Sequence, residues 1–210
     1  MAQILGLHPQ DPQARLIAQA VSVLRGGGVL AYPTDSCYAL GCLPEEKAAV
    51  QRILQIRRLP PRHHLTLLCS DLSALGTLAR VDNRAFRLIR RLTPGPYTFV
   101  LKAGRDVPRS LQDRKGRTIG LRVPDNAIVL ALLQALGQPL FSTSLILPGE
   151  TEPQTDAREI DAKLGRQLDL ILEGGAVGME QTTVIDLSAD QPQVIRRGKG
   201  PIDDLVDSEA

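Results

Sequence analysis

Tryptophan is absent and aromatic residues make up only 3% of the chain, which excludes a base-stacking platform built from several flat rings. Cysteine is scarce too. The three present, Cys37, Cys42 and Cys69, form no disulfide framework, so a reducing, cytoplasmic compartment is expected. No stretch approaches 18 uncharged apolar residues, and the opening MAQILGLHPQDPQARL has neither a basic leader nor a long apolar core, so neither a membrane span nor a secretory signal is expected. Familiar catalytic signatures are missing as well: no GxxxxGK[ST], no GxGxxG between strand and helix, no GxSxG and no HExxH. A nucleotide, if bound, is held by another architecture. Cys37 and Cys42 lack a second pair, and His63 and His64 are adjacent rather than at ligand spacing, so no metal site is expected.

What is present is an ordinary globular composition with an uneven charge. Across 210 residues, 43% are hydrophobic and 23% charged, and no linker or repeat divides them, so a single domain over 1–210 is expected, ending in a frayed acidic tail at 203–210. The net charge is only +2. Between Arg52 and Arg122, however, fourteen Arg and two Lys face four Asp, a local balance of +12 against −10 for the remainder. Such clustering calls for an anionic partner, and the planar guanidinium fork suits phosphate or carboxylate.

Apolar periodicity predicts helices at 13–24, 45–58, 71–78, 83–92, 127–136 and 156–164. Asp71, Asp82 and Asp156 stand as N-caps. Strands are predicted at 29–32, 65–69, 97–101, 118–123, 139–144, 168–172, 182–187 and 194–197, with a further apolar stretch at 38–41. The interleaving predicts an α/β fold, a twisted open mixed sheet with helices packed on it.

Three polar elements stand out: Tyr32 to Gly41, Arg57 to Thr66, and the hydroxyl-rich Pro139 to Ser144. In open α/β sheets ligands sit beyond the carboxyl ends of strands, and the polar groups are expected there or in entering loops. Each has an ordinary reading as well. Thr34 and Asp35 can cap a turn; Arg57, Arg58 and Arg62 can complement a helix dipole; His63 can be a surface imidazole; the cysteines can be small buried hydrophobes. Arg122, between Leu121 and Val123, needs a cavity or an acid to justify its burial.

In order along residues 13–200 stand YPTDSCYALGC, IRRLPPRHHLTLLC, LTPGPYTFVLK, IGLRVPDNAIVLALL, PLFSTS, TTVIDLS and VIRRGKG. This succession resembles the YrdC-like superfamily, in its YciO branch. The resemblance implies a large electropositive central cavity. It also implies an activity like threonylcarbamoyl-adenylate synthesis from ATP, threonine and bicarbonate for tRNA adenosine modification. Alternatives within the same resemblance are non-catalytic double-stranded RNA or tRNA binding, or remodelling of threonylcarbamoyl-adenosine in tRNA. No built-in cofactor is implied; Mg²⁺ arrives with the ATP.

Carried over by motif, Thr34 and Asp35 match the turn that holds the small amino acid, with Tyr38 beside them as a substrate contact. Arg57 matches the lysine that grips the triphosphate, with Arg58, Arg62 and His63 alongside. Ser144, with Ser142 near it, matches the serine of the S-x-N element, and Arg122 and Arg196 match cavity arginines. Two positions depart from the synthase pattern. Leu59 stands where a second cation belongs, and Ile146 where the asparagine belongs, so charge-assisted donors worth about 1.5–3 kcal/mol each are replaced by hydrocarbon.

Overall fold

The computed structural model describes residues 1–60, 66–105, 107, 111–112 and 117–203. Among them, eleven strands and six helices alternate. The first half runs β1 (Gln3–Gly6), α1 (Ala14–Arg25), β2 (Leu30–Tyr32), β3 (Ala39–Cys42), α2 (Lys47–Arg57), β4 (Thr66–Leu68), α3 (Leu72–Leu78), β5 (Ala79–Arg80), α4 (Asn83–Leu92) and β6 (Tyr97–Ala103). The second half runs β7 (Thr118–Arg122), α5 (Ala127–Leu136), β8 (Leu140–Ser144), α6 (Ala157–Leu164), β9 (Leu170–Glu173), β10 (Thr183–Asp186) and β11 (Gln193–Arg196). The strands join one mixed sheet in the order β1-β9-β2-β3-β8-β4-β7-β6-β10-β11, with β5 paired to β6.

Strand alternation sorts the central residues onto two faces. Leu67, Phe99, Leu101, Ile119, Leu121, Phe141 and Ile185 face a core closed by α2, α3, α4 and α6. The opposite face is covered by α1 and α5, which pack over Leu30, Tyr32, Ala39, Leu68, Leu140, Leu170 and Leu172. That cover ends partway across the sheet. Beyond it, Thr66, Thr98, Val100, Gly120, Arg122, Ser142 and Ser144 look into a cavity instead of a helix.

Local chemistry sets where the helices on both faces begin and end. Asp71 and Asp82 accept hydrogen bonds from Ala74 N and Ala85 N at 2.8 Å, capping α3 and α4. Asn126 Oδ1 accepts from Val129 N at 3.1 Å and starts α5, which Gly137 ends in the left-handed conformation at φ 70°. Asn126→Ala is expected to cost about 1 kcal/mol. In a thermal melt that appears as a fall of about 2–4 °C.

The pairing of β1 with β9, in parallel from Gln3↔Leu170 to Gly6↔Glu173, and the two-residue β5 were not expected from sequence. No helix among the described residues is long and apolar enough to cross a membrane.

Candidate functional site

The uncovered sheet face bounds a cavity of about 220 Å³. Its floor comes from β3, β8, β4, β7, β6 and β10, and its rim from the loop at 34–37, the end of α2 and the segment at 181–182. Thr34, Ser36, Arg57, Arg122 and Ser144 stand in the loops and at the strand ends where polar groups are expected, while Thr66, Thr98 and Ser142 lie further in across the sheet face. The cause is the short reach of α1 and α5, which leaves small and polar side chains at alternate strand positions unburied by any helix.

Three arginines converge here. Arg122 is 6% exposed and ion-pairs with Asp35, whose side chain is likewise nearly buried. Arg57, at the last turn of α2, is half-buried and lines the cavity; burial pulls its guanidinium below the usual arginine range, with Cys37 partly opposing. Burial also lowers Arg196, with Cys37 partly opposing and the neighbouring Arg122 cation adding to the fall. Arg196 donates through Nε and Nη2 to Thr182 O at 3.2 and 3.0 Å and through Nη1 to Gln181 Oε1 at 2.6 Å. Arginine keeps its charge through shifts of this kind, so three cations face one carboxylate.

Thr34, 3% exposed, donates its hydroxyl to Cys37 O at 2.7 Å and accepts from Ser36 N and Cys37 N at 3.1 and 3.2 Å. Its hydroxyl therefore stitches the 34–37 loop, the ordinary turn-capping role, while the residue also lines the cavity. Lys199 Nζ donates to Asp35 O and ties the C-terminal segment over the same loop. Ser142 accepts from Tyr32 Oη at 2.7 Å on the floor, and Ser144 lies beside it. Burial pushes the Cys37 thiol up, partly opposed by Ser144 and Ser36. It is a buried wall residue of the cavity.

Thr34, Arg57, Arg122, Ser142, Ser144 and Arg196 are thus brought together, with Asp35 held to Arg122. Tyr38 is not among them. It shares strand parity with Leu40 and packs in the opposite core at 1% exposure, where burial pushes its phenol up to about 12. Arg58 is exposed in the left-handed conformation at φ 47°, ending α2, and does not line the cavity. Arg62 and His63 lie outside the described residues. Leu59 is half-buried and Ile146 is 8% exposed, and neither joins the lining. Outside the three polar elements of the sequence, sequence reading missed Thr98, Gln181 and Thr182. At Thr98 the signal was a lone hydroxyl inside an apolar strand, and its Oγ1 lies 2.9 Å from that of Thr182.

The distribution of unmet hydrogen bonds singles out this cavity. Among the described residues, the buried side-chain nitrogens and oxygens without a partner are Asp35 Oδ2, Arg57 Nε and Arg122 Nε, all at this one place. Such groups cost free energy unless a ligand or water meets them. A wider groove of about 380 Å³ beside Glu150 and Glu159 lacks this signature, for its Lys163 is bonded to Gln154 at 2.8 Å and to Glu150 at 3.3 Å.

A YrdC-type sheet enclosing an arginine-lined cavity defines the class, and comparison with known proteins agrees. The Sua5/YciO/YrdC family model, described as "Telomere recombination", matches residues 22–198, and the chain belongs to that family. It is 54% identical to YciO of Escherichia coli K12 over 96% of this chain and 98% of that protein. The E. coli YciO crystal structure superposes with a TM-score of 0.93 over 97% of this chain and 98% of that one. A threonylcarbamoyl-AMP synthase of Chromobacterium violaceum is 35% identical over 88% of this chain and 95% of its own length. The P. abyssi Sua5 structure complexed with L-threonine is 27% identical, with a TM-score of 0.88 over 99% of this chain and 61% of that one.

Proposed function

We propose that the cavity binds an amino-acid carboxylate together with an adenine nucleotide, and that the protein is an adenylate-forming enzyme of the threonylcarbamoyl-AMP synthase class with a thinned phosphate grip. The observation that carries this reading is the trio of unpartnered buried atoms. Two cationic N–H groups ask for anionic acceptors, and one carboxylate oxygen asks for a donor. A zwitterionic amino acid beside a phosphate supplies both. Synthase relatives and the threonine-bound Sua5 structure support the same choice.

In this reaction the threonine amine adds to bicarbonate with loss of water. A carbamate oxygen then attacks the α-phosphorus while the bond to the β-phosphate breaks and diphosphate leaves. Arg57, half-buried, and Arg196, at the exposed rim, face the growing negative charge on the phosphates, and cations held in place stabilise it without reorganisation. Arg122, Asp35 and the Thr34 loop orient the amino acid, while Ser142 and Ser144 offer hydroxyls on the floor. Mg²⁺ enters on the nucleotide and neutralises its phosphates. Asp35 already serves Arg122, and among the described residues no group of three His, Cys, Asp or Glu side chains is placed to hold a metal.

Purified protein given ATP, threonine and bicarbonate is expected to release diphosphate in a threonine-dependent manner, and Arg57→Ala to lower the rate about 10- to 100-fold. Release that does not depend on threonine, or that Arg57→Ala leaves unchanged, sinks the proposal. The apolar Leu59 and Ile146 favour one second reading, in which the cavity keeps its amino-acid end and acts on threonylcarbamoyl-adenosine already in tRNA. Mass spectrometry of nucleosides after incubation with modified tRNA then shows loss of the modified base.

A further inference from the structure

Asp35 carries three oxygens, and two of them are held. Its Oδ1 pairs with Arg122, and its backbone carbonyl accepts from Lys199 Nζ. The third, Oδ2, is buried beside the cavity without a partner. A residue gripped at both its side chain and its main chain keeps little freedom, so the two grips together set where Oδ2 points. One grip belongs to the sheet, through Arg122 on β7. The other comes from the chain beyond β11.

Lys199 is exposed and does not line the cavity, but its base is rigid. Lys199 N donates to Gln181 O at 2.9 Å and Gly198 N to Thr183 Oγ1 at 3.0 Å. Thr183 Oγ1 in turn donates to Gly200 O at 2.6 Å, and Tyr97 Oη donates to Pro201 O at 2.9 Å. The glycines on either side of Lys199 permit this close approach, for a Cβ at Gly198 would lie 2.3 Å from Gln181 O and one at Gly200 2.4 Å from the Tyr97 ring. The segment 198–201 is thus fastened along the 181–182 rim, and the Lys199 side chain crosses from there to the loop at 34–37. Its ammonium makes a charge-assisted bond, stronger than one between neutral groups. The bonds of the Thr34 hydroxyl stay within the loop, so they shape it without anchoring it.

We infer that Lys199 is a positioning residue for the amino-acid end of the cavity, acting through Asp35 from outside the lining to aim Oδ2 at the substrate ammonium. This rests on the reading of the cavity as an amino-acid site. The phosphate end is independent of it, because Arg57 stands on α2 and Arg196 is held by its own bonds to Thr182 O and Gln181 Oε1. Without the Lys199 ammonium the main chain of the loop is free to turn about the Arg122 pair. The amine then loses its acceptor while the phosphates keep their donors.

Isothermal titration of the full chain with L-threonine and, separately, with ATP tests the inference. Lys199→Met is expected to weaken threonine binding about tenfold and ATP binding by less than about twofold. The melting temperature should hardly move, since the side chain is exposed. Lys199→Arg, which keeps a cationic donor on a long arm, should recover most of the loss. In an Asp35→Asn background the Lys199→Met change should cost threonine nothing further, because the carboxylate that it aims is gone. A loss shared equally by threonine and ATP, no loss for either, or a loss undiminished in the Asp35→Asn background overturns the inference and leaves the amino-acid reading standing. Threonine that fails to bind the unsubstituted protein overturns both.

Discussion

Replacing Arg122 by methionine is expected to cost about 3–5 kcal/mol of stability, because it strands a buried carboxylate without its counter-charge. The side chains of Arg122 and Asp35 are only 7% and 10% exposed, and Asp35 Oδ2 already lacks a partner. The lost cation leaves Asp35 two outcomes, to take up a proton or to drag water into the sheet face. Urea denaturation should show the full loss for Arg122→Met and a smaller one for Arg122→Met/Asp35→Asn, since the double change removes the stranded charge. A loss under about 1 kcal/mol for the single variant would mean that the pair is solvated and the cavity open to bulk water. Ligand binding should vanish in both variants, separating the stability role of the pair from its role toward substrate.

Gly41→Ala is the second large effect, and its cause is steric. A Cβ at this position would lie 2.7 Å from the Tyr32 ring, 2.9 Å from its hydroxyl and 2.9 Å from Phe141 O. Gly41 is on β3, whose partners β2 and β8 hold it from both sides, and Phe141 lies opposite its neighbour Cys42. The backbone there has no room to yield, so Tyr32 must move, and its 2.7 Å bond to Ser142 breaks. Overpacking of this kind costs about 1–3 kcal/mol. The distinguishing result is that Gly41→Ala weakens ligand binding together with stability, whereas Tyr32→Phe, which keeps the ring, loses binding with little change in melting temperature. Unchanged binding in both variants would show that the floor hydroxyls do not serve the ligand.

Much of this architecture is written locally. The limits of α4 and α5 are legible to the residue because Asp82 caps the first and Gly137 stops the second, signals that need no tertiary context. By contrast β1 is four residues with no period of its own, and only its distant partner β9 makes it a strand. Within the site, Arg122 was legible because a cation flanked by two apolar strand residues demands compensation. Tyr38 was misassigned for an equally physical reason. A run of polar letters reads as one element, but the chain sends neighbours to opposite faces, so Ala39 lines the cavity while Tyr38 packs in the core. Thr98 and Thr182 were hidden because their role depends on where α1 and α5 stop, which belongs to packing and not to any window of sequence.

The sheet order itself spreads the cavity over the chain. The cavity takes walls from Thr34 near the start and from Arg196 near the end, with β8 and β4 inserted between strands far apart in the chain. No short fragment of the chain contains the whole pocket, whose lining runs from Thr34 to Arg196. A ligand seated there would hold early and late strands together, and so would guard the entire domain against proteases rather than any one segment of it.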